Sequence, residues 1–127
     1  MRRSDQRRDA VFALYQHEVA GKPLAELLAG AKPFTRELAE GTAAETEALD
    51  DEIAGLSRGW TIDRIAPLEK NIMRVSLFEL HHREDVPAEV AIDEAVSLTK
   101  EYCGADAPKF VNGILGAAAR AEVGGKA

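Results

Sequence analysis

Apolar residues recur along the chain at intervals of three and four, and nowhere do they alternate with period two over a stretch long enough for a strand. An all-α chain is predicted. Val11, Leu14, Tyr15 and Val19 trace one face of a first helix, with Ser4 as its capping residue and Gly21 and Pro23 ending the run. A short turn from Leu24 to Leu28 follows. Thr35 is placed to cap a long helix whose apolar ladder is Leu38, Leu49, Ile53 and Leu56, breaking near Gly59. Trp60 opens the second half, where Thr61 and Pro67 bracket a helical turn. From Leu68 to about His82 the apolar positions lie almost all around the cylinder, the pattern of a helix at the centre of a bundle. After a loop at Val86 and Pro87, Ile92, Ala95, Val96, Thr99 and Tyr102 mark a fifth helix closed by Gly104. Asp106 or Ala107 caps the last helix, with Pro108 in its first turn and a stripe of Phe110, Val111, Ile114, Leu115 and Ala118. The layout is one domain over residues 1–127: helical groups at about 4–57 and 60–121 share a core, and the tail frays from Gly124 to Ala127.

A chain of 127 residues can bury about two-thirds of the surface its unfolded form exposes, so a self-sufficient core is within reach. No apolar run of signal-peptide or membrane-spanning length occurs, and the chain reads as cytoplasmic. The one cysteine, Cys103, cannot form an internal disulfide and cannot build a zinc site with only three histidines elsewhere. Packing alone is left to hold the fold.

The formal charge of -6 argues at first against a nucleic-acid partner. Its distribution changes that argument. Between Thr35 and Gly55 seven acidic residues face Arg36 alone, which leaves the rest of the chain neutral. In the first eight residues Arg2, Arg3, Arg7 and Arg8 oppose only Asp5. Such an end can attract phosphate, because screening over about 8–10 Å makes near charges count most. Arginines ahead of and on a first helical turn suit bidentate phosphate contacts, although a solvated tail explains the same four residues equally well.

No catalytic constellation stands out. Glu79-x-x-His82 has the spacing of a carboxylate-bridged metal site, but such sites need a second pair and two further glutamates, so a solvated helix end is the better account. His17 is isolated. Gly113-Ile-Leu-Gly116 matches a backbone-clamping RNA loop, yet its surroundings are helical and close helix packing explains it better. Nucleophile elbows, phosphate-cradling glycine loops and paired-histidine motifs are missing, and Cys103 reads as a small apolar group. Neither enzyme chemistry, nor a metal, nor a cofactor is expected.

The stretch PKFVNGIL, residues 108–115, is different. It places Lys109, Phe110 and Asn112 in the first turn and a half of the last helix, at the positive end of its dipole. Phosphates are favoured there, a ring can stack on an unpaired base, and an amide can read a base edge. Phe110 as plain core and Asn112 as a loop-binding amide remain the simpler reading of those residues alone.

A resemblance tips the balance. Arg2-Arg3, Ala13-Leu14-Tyr15-Gln16, Trp60-x-x-Asp63-Arg64-Ile65, Leu68-Glu69-Lys70-x-Ile72-Met73-Arg74, Glu79-Leu80, the segment Val86-Pro87 to Val96, and Lys109 to Leu115 are similar, in order and over nearly the whole chain, to the NusB transcription antitermination factors. The resemblance implies about seven helices in two packed, roughly perpendicular groups. It implies binding of boxA RNA together with the ribosomal protein also called NusE, in a complex that keeps RNA polymerase elongating through ribosomal RNA operons. By the same resemblance, Arg2, Arg3, Arg7, Arg8, Tyr15, Lys109, Phe110 and Asn112 touch RNA, Glu69 and Arg74 face the protein partner, and Asp106 tempers RNA affinity. NusB-like proteins can also form homodimers that cover the RNA surface. The rival reading is a NusB-like RNA-binding unit of an RNA methyltransferase, disfavoured because this sequence has no strand-loop-helix unit for a nucleotide cofactor. Two positions depart from the family pattern, Asp93 for asparagine and Thr99 for alanine, and Ser4-Asp5-Gln6 dilutes the basic run. So few cations imply weak binding alone, and two modest surfaces on one RNA gain about 10²–10⁴ in avidity.

Overall fold

The computed structural model describes residues 1–126, with side chains to Glu122. Seven α-helices follow one another: α1 (Arg3–Ala20), α2 (Leu24–Leu27), α3 (Pro33–Ala44), α4 (Thr46–Leu56), α5 (Pro67–His82), α6 (Ala88–Tyr102) and α7 (Ala107–Lys126), with a 3₁₀ turn at Ile62–Arg64 between α4 and α5. Among the described residues there is no strand. The tail expected to fray from Gly124 lies outside the described residues apart from its helical backbone to Lys126.

Helix α5 is the axis on which the rest is built. Every residue from Asn71 to Glu79 is buried, as an apolar pattern wrapping the whole cylinder requires. It packs against α1, α3, α4, α6 and α7. Ile72, Met73 and Leu77 meet Leu38 of α3, Leu49 and Ile53 of α4, Val11 of α1 and Leu115 of α7 in one core. Helix α3 approaches α5 closely at Gly41. A methyl added at Gly41 would lie 2.2 Å from the Phe78 ring, so only glycine lets the two helices meet there.

Three local expectations are corrected. The long third helix is two helices, because Glu45 leaves helical geometry (φ -115°, ψ 17°) and the Thr46 hydroxyl donates to the carbonyls of Thr42 and Ala43, both at 3.1 Å. A hydroxyl competing locally for backbone acceptors interrupts the ladder, while Leu38 and Leu49 keep an unbroken apolar stripe across the break. Thr35 does not cap α3, whose first position is Pro33; its hydroxyl donates instead to the Gln6 carbonyl at 3.0 Å and ties α3 to α1. Ser4 lies inside α1, and its hydroxyl donates to Glu94 Oε1 at 2.7 Å across to α6. Short polar side chains read as caps are cross-helix ties.

Candidate functional site

The arginines at the start of α1 are not a free basic arm. Arg7 is buried, with a side chain 6% exposed, and its guanidinium donates to both Glu79 oxygens at 2.7 and 2.9 Å. Glu94 adds a second carboxylate at 3.7 Å. This corrects two expectations: Arg7 offers nothing to a phosphate, and Glu79 is a buried partner on α5, not part of a solvated helix end. The remaining three are exposed or half-exposed, yet each meets an acid. Arg2 pairs with Asp5 at 3.5 Å, Arg8 with Asp9 at 3.1 Å and Asp5 at 3.4 Å, and Arg3 with Asp85 at 3.2 Å. Arg3, Arg7 and Arg83 also surround the Phe34 ring at 4.5, 5.3 and 5.2 Å from its centre. Arg83 is held in turn by Glu37 and Asp85.

A second buried network removes Arg74 from the surface expected to face a protein partner. Its side chain is 7% exposed, donates to both oxygens of Asp50 at 2.6 and 2.7 Å, and donates also to Glu18 Oε1 and to the side-chain amide oxygen of Asn71 (Oδ1). Lys70 joins at Glu18 Oε2, 2.9 Å away. Burial raises the Glu18 carboxyl, and the hydrogen bonds from Lys70 and Arg74 more than reverse this, leaving it below its ordinary range. Arg74 therefore fastens α5 to α1 and α4. Glu69, the other residue expected on that surface, is half-buried and accessible, and burial without a counter-charge pushes its carboxyl upward.

The start of α7 keeps its polar groups outward. Lys109 and Asn112 are exposed, and among the described residues neither has an ion pair or side-chain hydrogen bond. Phe110 between them is half-buried, its ring 5.8 Å from that of Trp60 at an interplanar angle of 58°. Around this pair opens a cleft of about 400 Å³ lined by Trp60, Arg64, Ile65, Glu69, Asp106 and Phe110. Gly113 corrects another expectation: a methyl there would meet nothing within 4 Å, so no helix packs against it. Burial first and the Glu69 charge second raise the Cys103 thiol, which is consistent with an inert apolar group.

The two sequence candidates are thus brought only indirectly together. Helix α1 packs mainly on α3 and α5, and α7 on α6, α5 and α4. The link is the end of α6, where Tyr102 meets Phe12 of α1 edge-on at 4.9 Å and lies near Arg8. Tyr15 sits half-buried on α1, one residue beyond Leu14. What sequence reasoning left out is the opposite wall of the α7 cleft, Trp60 and Arg64. The available signal was a tryptophan standing after a helix break, outside every apolar stripe.

No helix among the described residues is long and apolar enough to cross a membrane. The NusB family model matches residues 4–120. A transcription antitermination protein NusB from Rubrobacter xylanophilus is 38% identical over 122 residues, 91% of this chain and 88% of that one. One from Heliobacterium modesticaldum is 44% identical over 90 residues, 71% of this chain and 44% of its own length. Among solved structures, T. maritima NusB matches with a TM-score of 0.88 at 31% identity, covering 94% of this chain and 92% of that one. A chain from a crystal structure of antitermination factors NusB and NusE in complex with dsRNA matches with a TM-score of 0.83 at 26% identity, covering 94% of this chain and 96% of that one.

Proposed function

We propose, from the premise that this chain belongs to the NusB family, that it is a non-catalytic RNA-binding antitermination factor of the cytoplasm. In this reading it binds boxA RNA together with ribosomal protein NusE, within a complex that keeps RNA polymerase elongating through ribosomal RNA operons. The observation that carries it is the opening of α7, where Lys109 and Asn112, one turn apart on the same side of the helix, stand exposed and, among the described residues, unpaired, flanking the half-buried Phe110 in sequence. That NusB, NusE and dsRNA occur together in a structure with the same fold supports the choice of partners.

Lys109 supplies phosphate affinity at the positive end of a helix, the Phe110 ring edge stacks on an unpaired base, and the Asn112 amide reads a base edge. Arg2, Arg3 and Arg8, with Tyr15 behind them, extend the RNA contact along α1, each arginine by exchanging a carboxylate for a phosphate. Arg7 is assigned to the core and not to RNA. Glu69 faces the protein partner, while Arg74 serves that surface only by fixing α5 in place.

The test titrates a boxA-like RNA and a scrambled RNA, with and without NusE, at two salt concentrations. Preference for the boxA-like RNA that grows with NusE is expected. Equal binding of both RNAs in the presence of NusE would reduce the protein to a generic polyanion binder.

A further inference from the structure

The only tryptophan of the chain, Trp60, is 50% exposed, and it lies neither in a helix nor in the core. Exposing half of the largest apolar side chain forgoes burial that a helical bundle could readily supply, unless the ring has something else to cover it. Its inner part rests on Phe110. Its free part faces the cleft of about 400 Å³, a volume suited to a flat heterocycle with its sugar and phosphate. Arg64, one turn further along the 3₁₀ segment, lines the same cleft, is exposed, and has no carboxylate within ion-pair distance among the described residues. It differs in this from every arginine at the start of α1.

We infer that the Trp60–Phe110 cleft is a further single-stranded RNA subsite, which takes one unpaired base on the exposed face of Trp60 and its phosphate on Arg64. The inference rests on the RNA-binding reading above and extends it to residues outside that set. Three features select an RNA base over other occupants. The Trp60 and Phe110 rings meet 5.8 Å apart and both line the cleft, and Lys109 directly precedes Phe110 in α7, so a strand that lands on Lys109 starts one residue from the paired rings. Arg64, which lines the cleft, and Lys109, next to Phe110 in sequence, are both exposed and have no ion pair among the described residues, so each can take a phosphate of a passing backbone. Glu69 and Asp106 also line the cleft, and their carboxylates repel a further phosphate, so the cleft takes a single nucleotide with its phosphate on Arg64.

Because Trp60 is the only tryptophan, its emission reports the subsite directly. The 127-residue chain is titrated with a single-stranded boxA-like RNA, with a blunt duplex of the same sequence, and with NusE alone, recording tryptophan fluorescence and, separately, affinity by a label on the RNA. Single-stranded RNA should quench Trp60 with the same midpoint as the labelled RNA, and the duplex should quench much less. Arg64→Ala should weaken binding several-fold and make the salt dependence shallower by up to about one counterion. Trp60→Leu should weaken it about 5- to 150-fold, the range of one stacked base, with the thermal melt confirming that the variant is folded. If labelled RNA binds while Trp60 emission is unchanged and Arg64→Ala behaves as the parent, the subsite is wrong and the RNA-binding reading stands. If no RNA binds with or without NusE, that reading fails first. Quenching by NusE alone and not by RNA would show the cleft to be a protein dock and overturn the inference.

Discussion

The opening of α1 and the opening of α7 invert the ranking that their compositions suggest. The first carries four arginines in eight residues, the second a single lysine in its first turn. Yet Arg7 is sealed against Glu79, and Arg2, Arg3 and Arg8 each have a carboxylate within 3.5 Å. Among the described residues Lys109 has none, and neither has Arg64 in the cleft beside Phe110. A cation already neutralised by its own chain must give up that partner before it can hold a phosphate, and it releases fewer counterions when it does. The comparison teaches that available charge, not counted charge, marks where a polyanion would land. The acids that cancel these arginines, Asp5, Asp9, Glu79 and Asp85, lie outside the 35–55 segment that carries the net charge, so the overall charge does not report which end is open.

The most severe way to test the α1 side is to break its buried pair. Arg7→Ala should destabilise the fold by about 3–5 kcal/mol in chemical denaturation, because it leaves the Glu79 carboxylate buried and alone. An unchanged midpoint would mean that Arg7 is not structural. Next in size is the contact that seats α3 on α5. Gly41→Ala should cost about 1–3 kcal/mol by driving a methyl into Phe78, whereas Gly113→Ala, facing open space on α7, should stabilise by about 0.5–1 kcal/mol in the same assay.

Acid titration gives a smaller effect with a definite sign. The Glu18 carboxyl lies below its ordinary value of 4.5 when folded, so its ionised form contributes stability that is complete above that value and is lost as pH falls through the depressed one. Glu18→Gln should remove that part of the acid dependence and leave the slope above pH 5 unchanged. Smallest of all is the exposed pairing. Asp5→Asn frees Arg2 and part of Arg8, and should raise RNA affinity by no more than a few-fold at low salt, an increase that disappears at high salt.

The fold was legible because its helices announce themselves by period. Helix α5 could be placed at the centre from its all-round apolar sequence, and the 3₁₀ turn from Thr61 and Pro67, since neither judgement depends on which residues touch across helices. The break at Glu45 escaped because the apolar stripe runs straight through it. The site was legible in part for the same reason. Lys109, Phe110 and Asn112 follow from a cap position and a helix dipole, both local. Arg7, Arg74 and Glu79 were misplaced because their partners lie 72, 24 and 56 residues away in sequence, in Glu79 for Arg7 and in Asp50 and Glu18 for Arg74. Residue type says that a guanidinium wants a carboxylate, but not whether its own chain will supply one.

The central claim is tested most directly by the salt dependence of RNA binding in two single variants, Arg3→Ala and Lys109→Ala, measured with NusE present and compared with the parent on a log–log plot. Lys109→Ala should reduce the magnitude of the slope by up to about one, and Arg3→Ala, whose guanidinium is already held by Asp85, by clearly less. A full loss of one for Arg3→Ala with no change for Lys109→Ala would contradict the account, because it would make the internally paired end the one that meets the phosphates.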